Sequence, residues 1–366
     1  MTRISVLVVD DSVVVRRLVS DVLASDPDID VVGAASNGKI ALAKIPQLNP
    51  DIVTLDVEMP VMDGLETLVE LRKLYPRLPV IMFSTLTERG AGATLDALER
   101  GASDYVTKPA NVGSISASMD AVRAQLIPKI KSLAARRTAF TAPPPPRVTP
   151  PTPIRAAATP RLDLPVEAVV IGVSTGGPDA LTNVVTHLPG DLPVPVVVVQ
   201  HMPPIFTALF AQRLNAKSAL AVSEAEHRDR VEPGRVLVAP GDFHLRLKPD
   251  ASGVVATLDQ GTPENYCRPA VDVLFRSAAE VYGGGVLAVV LTGMGSDGAR
   301  GAARIVEAGG AVVVQDEATS VVWGMPGAVV HAGLTPEVLP LGSIANAITT
   351  RVARGRSTAT RKWARS

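Results

Sequence analysis

Cysteine is almost missing from this chain: Cys267 is the one thiol in 366 residues. A single thiol excludes an internal disulfide framework and fits a reducing compartment. With only five histidines, scattered and lacking an H-E-x-x-H pattern, little remains from which to build a catalytic zinc site. Net charge is absent as well, with 36 Lys and Arg against 36 Asp and Glu. No global field therefore draws the chain to nucleic acid or an anionic membrane. No apolar run approaches the roughly 18 residues that a spanning helix requires. The opening MTRISVLVVDD meets two aspartates too early for a secretory signal. These absences predict a soluble, cytoplasmic protein with no nucleic-acid partner and no membrane insertion. Its length predicts two domains of roughly 150 residues each.

What the chain has in plenty is proline, concentrated between Ala139 and Pro165. The segment PPPPRVTPPTPIRAAATPRLDLP has no apolar periodicity and reads as an extended, disordered linker. The final stretch, RVARGRSTATRKWARS, carries six basic residues and no acid, and reads as a frayed, solvated end. The expected division is 1–120, 121–165 (a helix end and the linker), 166–350 and 351–366 (the basic tail).

On each side of the linker, short apolar runs alternate with amphipathic stretches. SVLVVD, IDVVGAA, DIVTLD, PVIMFS and DYVTK precede it; AVVIGV, PVVVVQ, RVLVAP, GVLAVVLT and GAVVVQ follow. Strands apolar on both faces, separated by helices, predict parallel sheets covered on both sides. HLRLKPDASGVVATLD alternates in period two about a Pro-Asp-Ala-Ser-Gly turn and predicts a hairpin excursion. Both domains are therefore expected to be α/β, with ligands at the carboxyl ends of the strands.

In the first domain those ends carry Asp10 and Asp11, Asp56, Ser84 and Lys108. Clustered carboxylates repel one another unless a cation joins them, and hard oxygen donors with room for water suit Mg²⁺. A carboxylate can also serve as nucleophile toward a phosphoryl group, with a lysine and a hydroxyl opposite to hold it. VVDDS, TLDVEMPVMDG, FST and DYVTKP together resemble the response-regulator receiver family over residues 1–120. The resemblance implies a flavodoxin-like (βα)5 fold with Asp56 as phosphoacceptor. It places Mg²⁺ on Asp10, Asp11, Asp56 and the Glu58 carbonyl, with Ser84 and Lys108 reading the phosphoryl group. Tyr105 falls at the family's aromatic switch position.

The second domain opens on VVIGVSTGGPDAL. Gly172, Ser174 and Gly176 form G-x-S-x-G between a strand and a helix. That turn can expose a serine nucleophile, and glycine-rich turns of the same shape also cradle phosphates. The backbone N–H groups of Thr175 and Gly176, at a helix start, are candidate oxyanion donors. A nucleophilic serine needs a base and an orienting acid. His187 reads as a helix cap, His227 lies in the charged stretch SEAEHRDR, and His244 opens the hairpin. His331 reads as a strand-end base or an ordinary packed residue. His201 directly follows PVVVVQ, the strand expected beside that of Ser174, and is the best-placed base. For the acid, Asp297 after GVLAVVLTGMGS leads and Asp316 is the alternative. An α/β-hydrolase order would instead end on His331. Cys267, in NYCRPAVD, has no cysteine-protease context.

IGVSTGGP, VVQHMP, RPAVDVLF, LTGMGSDGA and WGMPGAV, following a receiver and a linker, resemble the CheB family of chemotaxis receptor methylesterases. The resemblance implies a triad of Ser174, His201 and Asp297 on a Rossmann-like, mostly parallel sheet, and no cofactor for the esterase. Met294 lies in the loop that the family folds over its active site. Implied substrates are glutamate γ-methyl esters, and selected glutamines, of methyl-accepting receptors; a sensor histidine kinase is the implied phosphodonor. The unphosphorylated receiver is expected to cover the esterase cleft. Arg268 reads either as a contact for acidic groups of the receptor or as a structural ion pair. A receiver-controlled nucleotide-binding module using the GVSTGG loop is the alternative. Against it, His201 stands where such a module needs an acid for the ribose.

Overall fold

The computed structural model describes residues 3–108, 115–141, 164–251 and 253–363. The chain divides into two compact units between residues 144 and 145. The proline-rich linker expected on either side of that point lies largely outside the described residues.

The first unit alternates strand and helix throughout: β1 Ile4–Val9, α1 Val13–Ala24, β2 Ile29–Ala35, α2 Gly38–Leu48, β3 Ile52–Asp56, α3 Gly64–Leu74, β4 Val80–Ser84, α4 Glu88–Glu99, β5 Asp104–Thr107 and α5 Ile115–Thr141. Its strands form one parallel sheet in the order β2-β1-β3-β4-β5. β3 and β4 are buried along their whole length, because helices cover both faces of the sheet. Side chains at the strand exits start the helices. Ser12 caps α1, and Asp63 with Glu66 forms a reciprocal capping box on α3.

The second unit contains β6 Ala168–Val173, α6 Gly177–Thr186, β7 Val196–Gln200, α7 Phe206–Lys217, β8 Ala221–Glu224, β9 Arg235–Val238, the hairpin β10 His244–Asp250 and β11 Gly253–Asp259, then α8 Val271–Tyr282, β12 Val286–Val290, α9 Ala299–Glu307, β13 Ala311–Gln315, α10 Gly324–His331, β14 Glu337–Leu339 and α11 Leu341–Trp363. Seven parallel strands run in the order β14-β13-β12-β6-β7-β9-β8. β6, β7 and β12 have no exposed residue, and each fully buried Val or Ile contributes roughly 1.5–3 kcal/mol relative to exposure. The hairpin stands apart from this sheet and packs on α8, where Ser277 Oγ accepts the Leu247 N–H at 3.0 Å.

Three sequence expectations need adjustment. The edge strands β8 and β14 carry too little apolar alternation to be recognised. GAVVHAGL belongs to helix α10, whose packing overrides its β-branched content, so His331 closes a helix and not a strand. Helix α11 continues to Trp363, through most of the basic tail read as frayed. Proline is absent there, and nothing in the local chemistry stops the helix.

Candidate active site and phosphoacceptor pocket

The first unit gathers its charged side chains at the carboxyl ends of β1, β3 and β5. Carboxylate oxygens of Asp10, Asp11 and Asp56 lie within 4.8 Å of one another. Lys108 Nζ lies 2.8 Å from Asp56 Oδ1 and 3.0 Å from Asp10 Oδ2. Asp56 is 3% exposed and its carboxyl is pushed up to about 6. Burial is the largest cause; Lys108 pulls it back down, and the charge of Asp10 adds to the rise. Burial disfavours the Lys108 ammonium, yet Asp56 and Asp10 outweigh that and raise its pKa. Asp10 Oδ2 is buried and accepts no well-directed hydrogen bond among the described residues. An under-satisfied buried carboxylate oxygen beside two more carboxylates is a donor set that fits a hard divalent cation. The acidic pocket is thus consistent with Mg²⁺.

The remaining receiver residues are arranged differently. Ser84 is buried, but its hydroxyl donates to the Gly90 carbonyl of α4 at 3.1 Å. Tyr105 is buried, which drives its phenol pKa up, and Lys129 Nζ lies 5.0 Å from its ring centre. The Glu58 side chain faces Arg89 at 3.3 Å across an exposed surface.

In the second unit, Ser174 follows β6 and His201 follows β7, on neighbouring strands. The His201 N–H donates to the Val173 carbonyl at 3.1 Å, continuing the ladder past the strand ends. Ser174 N–H is held by the Thr292 carbonyl at 3.0 Å, on the other side, where β12 exits. Gly172 lies against α8: a Cβ there would stand 2.3 Å from Val271 Cγ1. Gly176 has φ +72° at the start of α6, a left-handed position where a Cβ would also strike Val321. Thr175 is buried, and its carbonyl accepts from Thr292 Oγ1 at 2.9 Å. Met294 is half-buried in the loop between β12 and α9.

His201 Nε2 and Asp297 Oδ2 are 2.8 Å apart. The carboxylate is held on all sides, with Oδ2 accepting the Val271 N–H at 2.7 Å and Oδ1 the Asp272 N–H at 3.0 Å. Burial works against this charge, but His201 and these amides outweigh it and keep the Asp297 carboxyl below its ordinary range. For His201, burial disfavours the imidazolium, while Asp297 and then Cys267 overcome it and raise its pKa to about 10. The imidazole's other nitrogen, Nδ1, faces Cys267 Sγ at 3.6 Å. No hydrogen bond joins Ser174 Oγ to His201 among the described residues.

The other candidates fall elsewhere. His187 closes α6 on the Asn183 carbonyl, exposed His227 accepts the Leu258 N–H, and His244 is buried between Thr262 O and the Ala270 N–H. His331 packs edge-on to Trp323, and Asp316 caps the turn at Thr319. Arg268 makes an ion pair: its guanidinium bonds Asp242 Oδ1 and the carbonyls of Gln260 and Gly261.

Sequence reasoning missed four residues of this neighbourhood. Asn265 Nδ2 donates to Asp297 Oδ1 at 2.9 Å and to Asp272 Oδ2 at 3.0 Å. Asp272 Oδ1 accepts the Gly298 and Gly301 N–H groups, clamping the loop that carries Asp297. Gln200 Nε2 donates to the Ser174 carbonyl at 3.1 Å. Cys267, weighed in the sequence only as a nucleophile and set aside, is the fourth, as a neighbour of His201. Only the position of Gln200, at the last residue of an apolar strand beside His201, was a usable signal.

Two family descriptions match the chain: CheB methylesterase over residues 169–348 and response regulator receiver domain over residues 6–120. A protein-glutamate methylesterase/protein-glutamine glutaminase of Nocardioides sp. is 58% identical over 97% of each chain. A protein of the same description from Trichodesmium erythraeum is 51% identical, over 96% of this chain and 100% of its own. The crystal structure of the Thermotoga maritima CheB methylesterase catalytic domain matches with a TM-score of 0.50 and 46% identity. It covers 51% of this chain and 99% of its own.

Proposed function

This chain belongs to the CheB methylesterase family, as a receiver-regulated protein-glutamate methylesterase and protein-glutamine glutaminase of chemotaxis receptors, and we propose that Ser174, His201 and Asp297 carry its chemistry. The observation behind this assignment is the His201–Asp297 pair at 2.8 Å, made across the exits of β7 and β12, the strands on either side of that of Ser174. With Nε2 engaged by Asp297, Nδ1 is the nitrogen left to take the serine proton.

Ser174 Oγ attacks the ester carbonyl as its proton passes to His201 Nδ1, and Asp297 stabilises the imidazolium. The oxyanion is assigned to the backbone at Thr175 and Gly176, where the positive end of the α6 dipole favours negative charge. Collapse of the tetrahedral intermediate expels methoxide, which takes the proton from His201 and leaves as methanol. Water then attacks the glutamyl-serine ester with His201 again as base, and glutamate is restored. For a glutamine substrate the departing amine must be protonated, so the general-acid role of His201 weighs more. Met294 is assigned to the loop that borders the bound substrate.

In the receiver, a kinase is the phosphodonor, in this reading a sensor histidine kinase, and the Asp56 carboxylate attacks the phosphoryl group. Asp10, Asp11, Asp56 and the Glu58 carbonyl would hold Mg²⁺, which would supply positive charge to offset that of the acids and the incoming phosphoryl group. Lys108 passes from the two aspartates to a phosphoryl oxygen, and Ser84 exchanges the Gly90 carbonyl for another. Tyr105 is assigned the switch role. The esterase needs no cofactor in this scheme. Among the described residues no helix is long and apolar enough to cross a membrane.

The test is methanol release from methylated chemoreceptor membranes, with and without a small phosphodonor and Mg²⁺. Release stimulated by the phosphodonor and abolished in Ser174→Ala is expected. Undiminished release from Ser174→Ala would overturn the assignment.

A further inference from the structure

Each backbone N–H assigned to the oxyanion shares a rigid plane with a carbonyl, and buried side chains hold both carbonyls. A peptide group is planar and trans, so its N–H and C=O point in opposite directions and fixing one end aims the other. The Thr175 N–H belongs to the peptide that carries the Ser174 carbonyl. The Gly176 N–H belongs to the peptide that carries the Thr175 carbonyl. The Ser174 carbonyl accepts the Gly177 N–H at 2.8 Å, closing a four-residue turn, and Gln200 Nε2 at 3.1 Å. Gly176, the third residue of that turn, has φ +72° and ψ 6°, and Thr175 is not among the residues of positive φ. These are the angles of a type II turn. Its central peptide, between Thr175 and Gly176, becomes that of a type I turn by turning over, and the Gly176 N–H then faces the opposite way.

The Thr292 hydroxyl opposes that flip. Thr292 is 1% exposed, and its Oγ1 lies 2.9 Å from the Thr175 carbonyl. The Val322 carbonyl is 3.1 Å from the same hydroxyl but already accepts the Gly293 N–H at 2.9 Å, which leaves the hydroxyl proton for Thr175. Thr292 is itself fixed: Oγ1 accepts the Val322 N–H at 3.0 Å, and its N–H donates to Gln315 Oε1 at 2.8 Å. Gln200 is buried too, and its Nε2 reaches the Ser174 and His201 carbonyls at 3.1 and 3.3 Å. Its Oε1 accepts no well-directed hydrogen bond among the described residues. A buried acceptor left unpaired costs stability. A methionine would fill similar volume without that cost, so what the glutamine supplies here is its donor.

Resting on the esterase reading above, we propose that Thr292 and Gln200 are positioning residues that aim the two oxyanion donors, Thr292 the Gly176 N–H and Gln200 the Thr175 N–H. Neither touches the substrate; each acts through the carbonyl at the far end of a peptide plane. As negative charge builds on the ester oxygen, donors already aimed need no reorientation, and that is the source of their effect on rate. A hydrogen bond received by the carbonyl also polarises the peptide and strengthens its N–H as a donor.

The experiment measures methanol release by the full-length protein from methylated chemoreceptor membranes, with phosphodonor and Mg²⁺, over a range of receptor concentration and pH. Thr292→Val keeps the side chain's shape and loses the hydroxyl. Its kcat should fall about tenfold or more with KM little changed, against the roughly 10²–10³ lost when a donor is removed outright. Thr292→Ser, which restores the hydroxyl, should recover most of that loss. Gln200→Met should lower kcat in the same way. Both losses should leave the pH profile in place, because the His201–Asp297 pair is untouched. In a crystal structure of Thr292→Val the Thr175 carbonyl should have turned over, a readout that needs no activity. Wild-type kcat in Thr292→Val, equal losses in Thr292→Val and Thr292→Ser, a rise in KM alone, or an unmoved Thr175 carbonyl would each overturn the proposal. Should Thr292→Val not fold, Gln200→Met decides: a lowered kcat on an unmoved pH profile supports the proposal, and wild-type kcat or a displaced profile overturns it. Ser174→Ala runs in parallel. Undiminished release there would overturn the serine assignment and this proposal together, whereas loss there with full rates in Thr292→Val and Gln200→Met would overturn this proposal alone.

Discussion

The ester hydrolysis rate should climb steeply with pH, and removing Cys267 should move that climb toward neutrality. His201 accepts a proton only as the neutral imidazole. Burial favours that form, but Asp297 on Nε2 and Cys267 on Nδ1 outweigh burial and raise the ring to about 10. Below that value the neutral ring is the minority form, and each pH unit gained multiplies its fraction by about ten. Cys267→Ala takes away one of the two groups holding the proton and leaves Asp297, with Asp272 and the Glu264–Arg276 pair behind it. Each unit by which the ring falls should raise the neutral-pH rate by about tenfold. The assay is unstimulated methanol release between about pH 6 and 10, normalised to its alkaline plateau. A wild-type plateau already reached at neutral pH would refute the raised imidazole; superimposed profiles would refute the Cys267 contact. The linkage to folding has a definite sign. The folded-state value lies above the ordinary 6.5, so protonated His201 stabilises the fold fully below about 6.5, and that contribution is lost as pH rises through about 10.

Asn265→Ala removes two hydrogen bonds from the acid pair behind His201, each worth roughly 0.5–1.5 kcal/mol; kcat for methanol release should fall about tenfold with KM little changed, and a selective KM effect would contradict a positioning role. Gly172→Ala drives a methyl group to 2.3 Å from Val271, and overpacking of this kind costs about 1–3 kcal/mol. A denaturant melt with an unmoved midpoint would show that α8 yields more readily than its packing implies. Asp56→Asn should abolish stimulation by the phosphodonor, as should chelation of divalent cations; persistent stimulation in either case would place the phosphoacceptor elsewhere. Deleting residues 1–138 should raise basal release if the receiver restrains the esterase, and an unchanged or lower rate would contradict restraint.

Much of the site was legible because a parallel α/β sheet sends chemistry to one edge. Once AVVIGV, PVVVVQ and GVLAVVLT are read as buried strands, the residues just after them, Ser174, His201 and the loop to Asp297, must share that edge. The order β12-β6-β7 does bring these exits side by side. The same logic put Asp10, Asp56 and Lys108 together in the receiver. Period-two and period-3.6 patterns are local properties, and hydrophobic burial converts them directly into elements.

Other features had no local signature. The sequence left GAVVHAGL open between a strand end and an ordinary packed segment where helix α10 lies, and β8 and β14 were too short and polar to register. Cys267 and Asn265 belong to a turn after the hairpin, and nothing in NYCRPAVD says that it folds back onto His201, 66 residues earlier. The choice of imidazole nitrogen, the clamp of Asp272 on the Asp297 loop and the resting partner of Ser84 were equally silent. What the sequence determined by itself was which residues end which strands, because burial period and strand polarity are encoded residue by residue. Which side chain meets which nitrogen was decided only by the packing of α8 and its preceding turn against the sheet, a long-range contact to which no short stretch of sequence is sensitive.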